Sequence, residues 1–434
     1  MPPTLLAAAR ELRSGRLSPV DLVESCLERI RRCEEGVRAW VFVDGEGALR
    51  RAEACAREIA RGEWRGPLHG IPLGIKDIFD VFDWPTAAGS RLWKNSVARR
   101  DAPVVNRLRQ AGAILLGKTV TTQYASFDPP PTRNPWNAAR TPGGSSSGSA
   151  AATACGMCLG ALASQTGGSI VRPASYCGVA SCKPTFGCVS CEGVVPLAPS
   201  MDHVGAMART VVDVEILMAT IADTGWERTP DPSTPPVLGR LHGLFDSRSE
   251  PSVLAAVDRA AEEWRRRGAT VVDVKLPASF AEVLTRHRTV MAVEAAAYHG
   301  ERLHRHPEDY DPCIRQLLEE GLACPAPEYA RSKEHQQQLR EEMKNCFGGV
   351  SALLTPATTS PAPDVATTGD PAFNSPWSYT GLPTVAFPAA LSEDGLPVAV
   401  QLVGGPWSER ELFAVAAWCE NALDLTLGEP PATR

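Results

Sequence analysis

The chain has 434 residues, a net charge of −6, 44% hydrophobic residues and 22% charged residues, the balance of a globular protein with a sizeable core. The acidic excess argues against a nucleic-acid binder, and no apolar run reaches the length of a membrane span. Residues 1–10 lack the basic start and the long apolar stretch of a signal peptide, so a cytoplasmic location is expected. In that setting the 13 cysteines read as buried free thiols.

In chain order, residues 4–13 form a short amphipathic pattern. Ser18-Pro19-Val20-Asp21 then starts a helix, with Ser18 as N-cap and proline in the first turn; Leu22, Cys26 and Ile30 follow at helical spacing. A third helix is expected over 45–62. Residues 1–64 thus read as an all-helical layer packed on a single α/β domain, 65–434. From Gly66 short apolar runs (71–75, 113–117) alternate with helical patterns such as 101–112, which predicts a mixed, mainly parallel sheet covered by helices on both faces. An Ala-rich buried helix is expected between Ser145 and Ser169, with Cys155 and Cys158 inside it. Strand, helix and strand follow at 237–241, 252–267 and 270–276, with Gly268 ending the helix. Residues 280–345 are helical, charged and His-containing, a variable peripheral or substrate-side region. Strands return at 352–354, 384–387 and 398–403, and a last helix covers 408–422. The Pro- and Thr-rich stretches 228–236 and 355–371 read as loops.

The chemistry concentrates in two Gly-Ser runs, Thr141-Pro-Gly-Gly-Ser-Ser-Ser-Gly-Ser149 and Gln165-Thr-Gly-Gly-Ser169. A flexible linker would not feed directly into a buried helix, and no Gly-Lys-Ser follows to make a phosphate loop. Small residues here let backbone amides approach a ligand and form an oxyanion hole beside Ser169. Upstream, Lys76 ends the apolar run Ile71-Pro-Leu-Gly-Ile75; a lysine at the end of a core strand can be buried, neutral and basic. Two serines and a lysine without a histidine partner suggest acyl transfer with lysine as the base.

Several ordered motifs carry a resemblance: Gly70-Ile-Pro-Leu-Gly-Ile-Lys-Asp77, Gly117-Lys-Thr119, Asn134-Pro-Trp-Asn137, Gly143–Ser149, Gln165–Pro173, Cys182-Lys-Pro-Thr185, Ser200-Met-Asp-His-Val-Gly205, Thr380-Gly-Leu-Pro383 and Leu396–Gly404. In this order the chain resembles the amidase signature family, serine hydrolases with a Ser–cis-Ser–Lys triad. The resemblance implies Ser169 as nucleophile, Ser145 as the bridging serine with a cis peptide bond, and Lys76 as base. The two serines stand at the family's interval of 24 residues, from 145 to 169. It further implies Thr166, Gly167 and Gly168 as oxyanion donors and Ser146 as a supporting hydrogen-bonder. The substrate would be a small-molecule amide or carbamate, with no cofactor and no metal, and a homodimer is compatible with the family.

Arg172 stands three residues after Ser169, where the commoner pattern has an arginine two residues after. This resembles a malonamidase-like branch in which arginine contacts a substrate carboxylate; the alternative is an arginine that pins its loop. Tyr124, Phe127 and Trp377 are candidate pocket residues because they adjoin matched motifs. A carbamate or aryl-amide hydrolase is the main alternative. An amidotransferase-like subunit is another, although the Tyr-Asp-Gly stretch of the related transferase is absent from 280–345. A Ser–His–Asp reading of Asp202 and His203 is rejected because adjacent residues would need an unusual turn to relay. Two Cys-x-x-Cys pairs, Cys155/Cys158 and Cys188/Cys191, mimic a zinc site, but the first pair is expected inside a helix. His299, His304 and His306 read as a polar helix end.

Overall fold

The protein is described by a computed structural model covering residues 2–226 and 234–433; the expected loop at 228–236 lies, through residue 233, outside the described residues. Eleven strands form one sheet: β1 (Trp40–Val43), β2 (Pro72–Lys76), β3 (Ile114–Thr119), β4 (Gly160–Gln165), β5 (Ala180–Lys183), β6 (His203–Ala208), β7 (Val237–Leu241), β8 (Thr270–Val274), β9 (Ala352–Pro356), β10 (Thr384–Leu391) and β11 (Pro397–Val403). Their order across the sheet is β1-β3-β2-β4-β6-β5-β10-β11-β9-β7-β8.

The sheet is mixed, as the sequence suggests, but it is not mainly parallel. Four neighbouring pairs are parallel and six antiparallel. The parallel pairs lie in two patches, β3-β2-β4 and β9-β7-β8. All of these except β4, which lies in the span expected as a helix, are strands whose apolar runs alternate with helical patterns. The antiparallel centre is built from β5, β6, β10 and β11, and the hairpin β10–β11 turns through Ser392 to Leu396.

The N-terminal region also departs from an all-helical layer. Helices Leu5–Arg13, Pro19–Val37 and Gly45–Ala60 form where expected, the first two capped by the Thr4 and Ser18 side chains. Between the second and third, however, Trp-Val-Phe-Val makes β1, antiparallel to β3 at the sheet edge. Four residues give too short a period-2 pattern to stand out from the flanking helices, and the strand is fixed by its neighbour. One apolar cluster runs from Leu5 to Ala422 and includes residues of all three N-terminal helices.

The site-bearing strands are buried along their whole length. Every residue of β2, β3 and β4 is buried, as expected for parallel strands covered on both faces. The register sets Ile75 opposite Leu162, so Lys76 at the end of β2 stands level with the next residues of β4, Ala163 and Ser164. The Ala-rich helix is shorter than expected, Ser147–Ala154. It packs so closely on the β1–β3 junction that a Cβ at Gly148 would overlap Ala39 O and Val120 N.

Candidate active site

Three lysines are fully buried: Lys76, Lys118 and Lys183. Lys118 is held by Asp77, with Nζ 2.9 Å from the carboxylate; burial lowers its pKa and the Asp77 charge opposes that shift. The Lys183 amine donates to its neighbour Pro184 O. Lys76 alone of the three faces serine hydroxyls, its Nζ lying 2.7 Å from Ser145 Oγ and 2.7 Å from Ser164 Oγ. Burial holds its pKa well below the ordinary lysine value, opposed only in part by the Asp202 charge. A neutral amine beside a serine hydroxyl is the arrangement a general base requires.

The loop that carries Ser145 is clamped from several sides. The Gly144–Ser145 peptide bond is cis, as the resemblance implies. Ser145 O accepts from Thr122 N–H at 3.1 Å, and Ser146 N–H donates to Ser169 O at 3.3 Å. The Ser146 hydroxyl donates to Ser164 O at 3.2 Å, so it ties the loop to β4 without facing Lys76.

Ser169 sits in the turn between β4 and helix Val171–Cys177. Gln165 Oε1 shapes that turn by accepting from Ile170 N–H and Val171 N–H at 3.0 and 3.1 Å. Ser169 is 7% exposed, whereas Lys76 and Ser145 are inaccessible. Its hydroxyl makes no hydrogen bond to Ser145 Oγ or to any other group among the described residues. The backbone N–H groups of Gly167 and Gly168 likewise donate to no protein group among the described residues. Free amides beside an accessible hydroxyl can stabilise a negative oxygen that develops on a carbonyl attacked there.

Thr166 is held at both ends. Its hydroxyl donates to Asp202 at 2.5 Å, and its carbonyl lies 2.9 Å from His287 Nε2. Asp202 also accepts from Leu197 N–H and Ala198 N–H. His203 turns away, with Nδ1 on Met201 O and its ring edge-on to Phe186; the adjacent Asp202 and His203 therefore form no relay. Sequence reasoning missed Ser164 and His287, and assigned Gln165 and Asp202 no role of their own in the site. Ser164 immediately precedes a recognised motif and Gln165 opens it, but their contacts depend on strand register. His287 comes from the variable helix Val283–Arg305, and no local signal marks it.

A cavity of about 580 Å³ adjoins this loop, with Phe127, His287, Met291, Ala292, Pro371 and Ser375 among its walls. A Cβ built on Gly167 would lie 3.4–3.8 Å from Ser375, His287 and Pro371, so three residues of the cavity wall adjoin the candidate oxyanion strip.

The sequence profile of the amidase family matches residues 21–413. The chain belongs to the amidase family. AmiD of Mycobacterium tuberculosis, an amidase by assignment, is 34% identical over 94% of this chain and 91% of its own length. A glutamyl-tRNA(Gln) amidotransferase subunit of Chloroflexus aggregans is 34% identical over 99% of this chain and 98% of its own. Among solved structures, an amidase superposes with a TM-score of 0.89 at 35% identity, covering 96% of this chain and 99% of that one. A peptide amidase in complex with chymostatin superposes with a TM-score of 0.86 at 27% identity, covering 98% of each chain. The fold is thus that of the amidases, and the chain is an amidase-family hydrolase of amide bonds.

Within this amidase-family chain, three expected pocket residues take other roles. Arg172 is inaccessible, and its guanidinium donates to Gly369 O, Gly144 O and Thr368 Oγ1 at 2.9, 2.8 and 3.2 Å. It pins the Ser145 loop to the 368–369 loop, the alternative to contacting a substrate carboxylate; burial pushes its pKa down to about 10. Trp377 is inaccessible and stacks on Phe245 in the core. Tyr124 is inaccessible, donates to Asp309 at 2.5 Å and packs on His299 and Tyr310. Phe127 alone of the aromatic candidates lines the cavity.

The cysteine pairs do not gather. Cys155 follows the Ala-rich helix as its C-cap and Cys158 lies in the turn beyond, so neither is inside it. All 13 thiols are free. Among the described residues the one group with metal-ligand spacing is Cys55, Glu58 and His69, where Glu58 already holds His69 and Arg65. His299 is buried against Tyr310, while His304 and His306 are exposed.

No helix among the described residues is long and apolar enough to cross a membrane.

Proposed function

We propose that the protein is a serine amidohydrolase that cleaves linear amides through an acyl-enzyme on Ser169. Neutral Lys76 draws a proton from Ser145 as Ser145 draws one from Ser169, and Ser169 Oγ attacks the substrate carbonyl. Amides of the Thr166–Gly168 strip hold the oxyanion. The proton returns through Ser145 to the leaving nitrogen, and water releases the acid by the same relay. The observation that carries this reading is the fully buried Lys76 amine 2.7 Å from Ser145 Oγ. The Ser169–Ser145 bond closes when substrate is bound, since such contacts are often open in the free enzyme. A carbamate presents the same carbonyl; there the relay protonates the leaving alcohol oxygen, water hydrolyses the carbamoyl-enzyme, and the carbamic acid released loses carbon dioxide.

The cavity wall of Phe127, Met291, Ala292 and Pro371, and the engagement of Arg172 by backbone carbonyls, favour an uncharged aryl or alkyl substrate. The test is turnover of an anilide, an aryl carbamate, an aliphatic amide, malonamate and a nitrophenyl ester. Turnover of the anilide or carbamate, at least tenfold above malonamate (~1.4 kcal/mol), is expected. Malonamate turned over alone would show that a cation meets the substrate carboxylate and contradict this account of Arg172.

The likeness to the amidotransferase chain of Chloroflexus aggregans over nearly the whole length supports a second reading, a subunit that works only within a complex. Turnover by the isolated chain would end that reading.

A further inference from the structure

We propose that His287 is a specificity residue, with Nδ1 accepting a hydrogen bond from an N–H or O–H group on the part of the substrate that fills the cavity. The tautomer follows from the partner. Thr166 O can only accept, so the Nε2 at 2.9 Å from it carries the proton. Nδ1 is then bare, an acceptor with no protein partner among the described residues. The ring is 3% exposed and lines the cavity, and its Cε1, bonded to both nitrogens, lies 3.5 Å from the Cβ position of Gly167. Burial pushes the His287 pKa down to about 4, so the acceptor persists at neutral pH.

The other charged groups of the cavity are already paired. Arg288 grips Glu320 through two hydrogen bonds of 2.8 and 2.9 Å, and Arg248 lies 3.4 Å from Asp370. The bare imidazole nitrogen therefore stands beside the apolar side chains of Phe127, Met291, Ala292 and Pro371, where an unpaired acceptor is costly and a matching donor is favoured. The substrate class is an uncharged aryl or alkyl amide that carries one donor remote from the scissile bond. The same ring fixes the Thr166 carbonyl, so it also positions the oxyanion strip. This inference rests on the assignment of Ser169 as nucleophile and deepens it.

The test compares phenylacetamides bearing a hydroxyl at the ortho, meta or para position with their methoxy twins. Wild type is expected to prefer the hydroxyl form of at least one isomer by about tenfold in kcat/KM, mainly through KM. His287→Phe keeps the ring and loses both nitrogens. It slows every substrate, but the hydroxyl-to-methoxy ratio falls to about one or below (the same principle run in reverse). His287→Gln, with one donor and one acceptor, restores part of the ratio. A wild-type ratio near one for all three isomers would overturn the proposal without any variant. So would a His287→Phe enzyme that slows both twins equally. Loss of all turnover in Ser169→Ala tests the nucleophile separately, so failure of one reading leaves the other legible.

Discussion

Ser169→Ala is expected to lower kcat/KM by about 10⁴-fold or more while leaving the fold and the melting temperature nearly unchanged, as removal of a nucleophile does when the rest of the site stays in place. The structure explains both halves. The Ser169 hydroxyl has no hydrogen-bond partner among the described residues, so its removal strands no polar group. The turn is shaped instead by Gln165, whose side chain receives two backbone amides and is untouched by the substitution. Substrate should still bind, because the cavity walls of Phe127, Met291 and Pro371 remain. The loss therefore falls on kcat, with KM changed by less than about threefold (under ~0.7 kcal/mol). Steady-state kinetics, with circular dichroism as the check on folding, measures it. A variant that kept more than a hundredth of wild-type turnover would place the nucleophile elsewhere.

Lys76→Met is expected to cost a comparable factor, about 10³ to 10⁴, which is the scale of losing a nucleophile's activating base. Its second signature is thermodynamic. Burial holds the folded-state pKa of Lys76 well below its ordinary value, so between the folded and unfolded pKa values the unfolded chain binds more protons. Stability contributed at this position therefore rises with pH across that window, and the cost of burying the amine is fully present below the folded pKa. Methionine fills a similar volume without that cost. Its gain in melting temperature over wild type should be larger at pH 6 than at pH 9.5, offset at both by the two lost hydrogen bonds to Ser145 and Ser164. The wild-type kcat/KM should rise with pH as Lys76 loses its proton. A gain in melting temperature larger at pH 9.5, or a rate that rises only near the ordinary lysine pKa of about 10.4, would mean that Lys76 is not held neutral by burial.

The sequence made the parts of the site with local chemistry legible. Gly-Ser runs and a lysine closing an apolar strand are visible without a fold, and Lys76, Ser145 and Ser169 converge in space. What escaped depends on pairing between distant segments. Ser164 looks like an ordinary strand residue until β4 is registered against β2. His287 lies 121 residues beyond Thr166 in a helix with no distinguishing pattern. Arg172 could be read two ways because the sequence shows a charge but not its partners; three acceptors in the 144 and 368–369 loops bind its two terminal nitrogens. Sheet direction was misjudged for the same reason. Alternating strands and helices marked β2, β3, β7, β8 and β9, while β4, inside the span expected as a helix, and β5 and β6, which overlap matched motifs, went unrecognised as strands. Trp377 and Tyr124 stood near the motifs in sequence but turn into the core.

The most direct test of the account is to quench the wild-type enzyme during turnover of a nitrophenyl ester or a slow aryl carbamate and map the covalent adduct by peptide mass spectrometry. One acyl or carbamoyl group is expected, on Ser169 and absent from Ser169→Ala. Turnover that proceeds with Ser169 unmodified, or an adduct on one of the cysteines or on Ser145 instead, would contradict it.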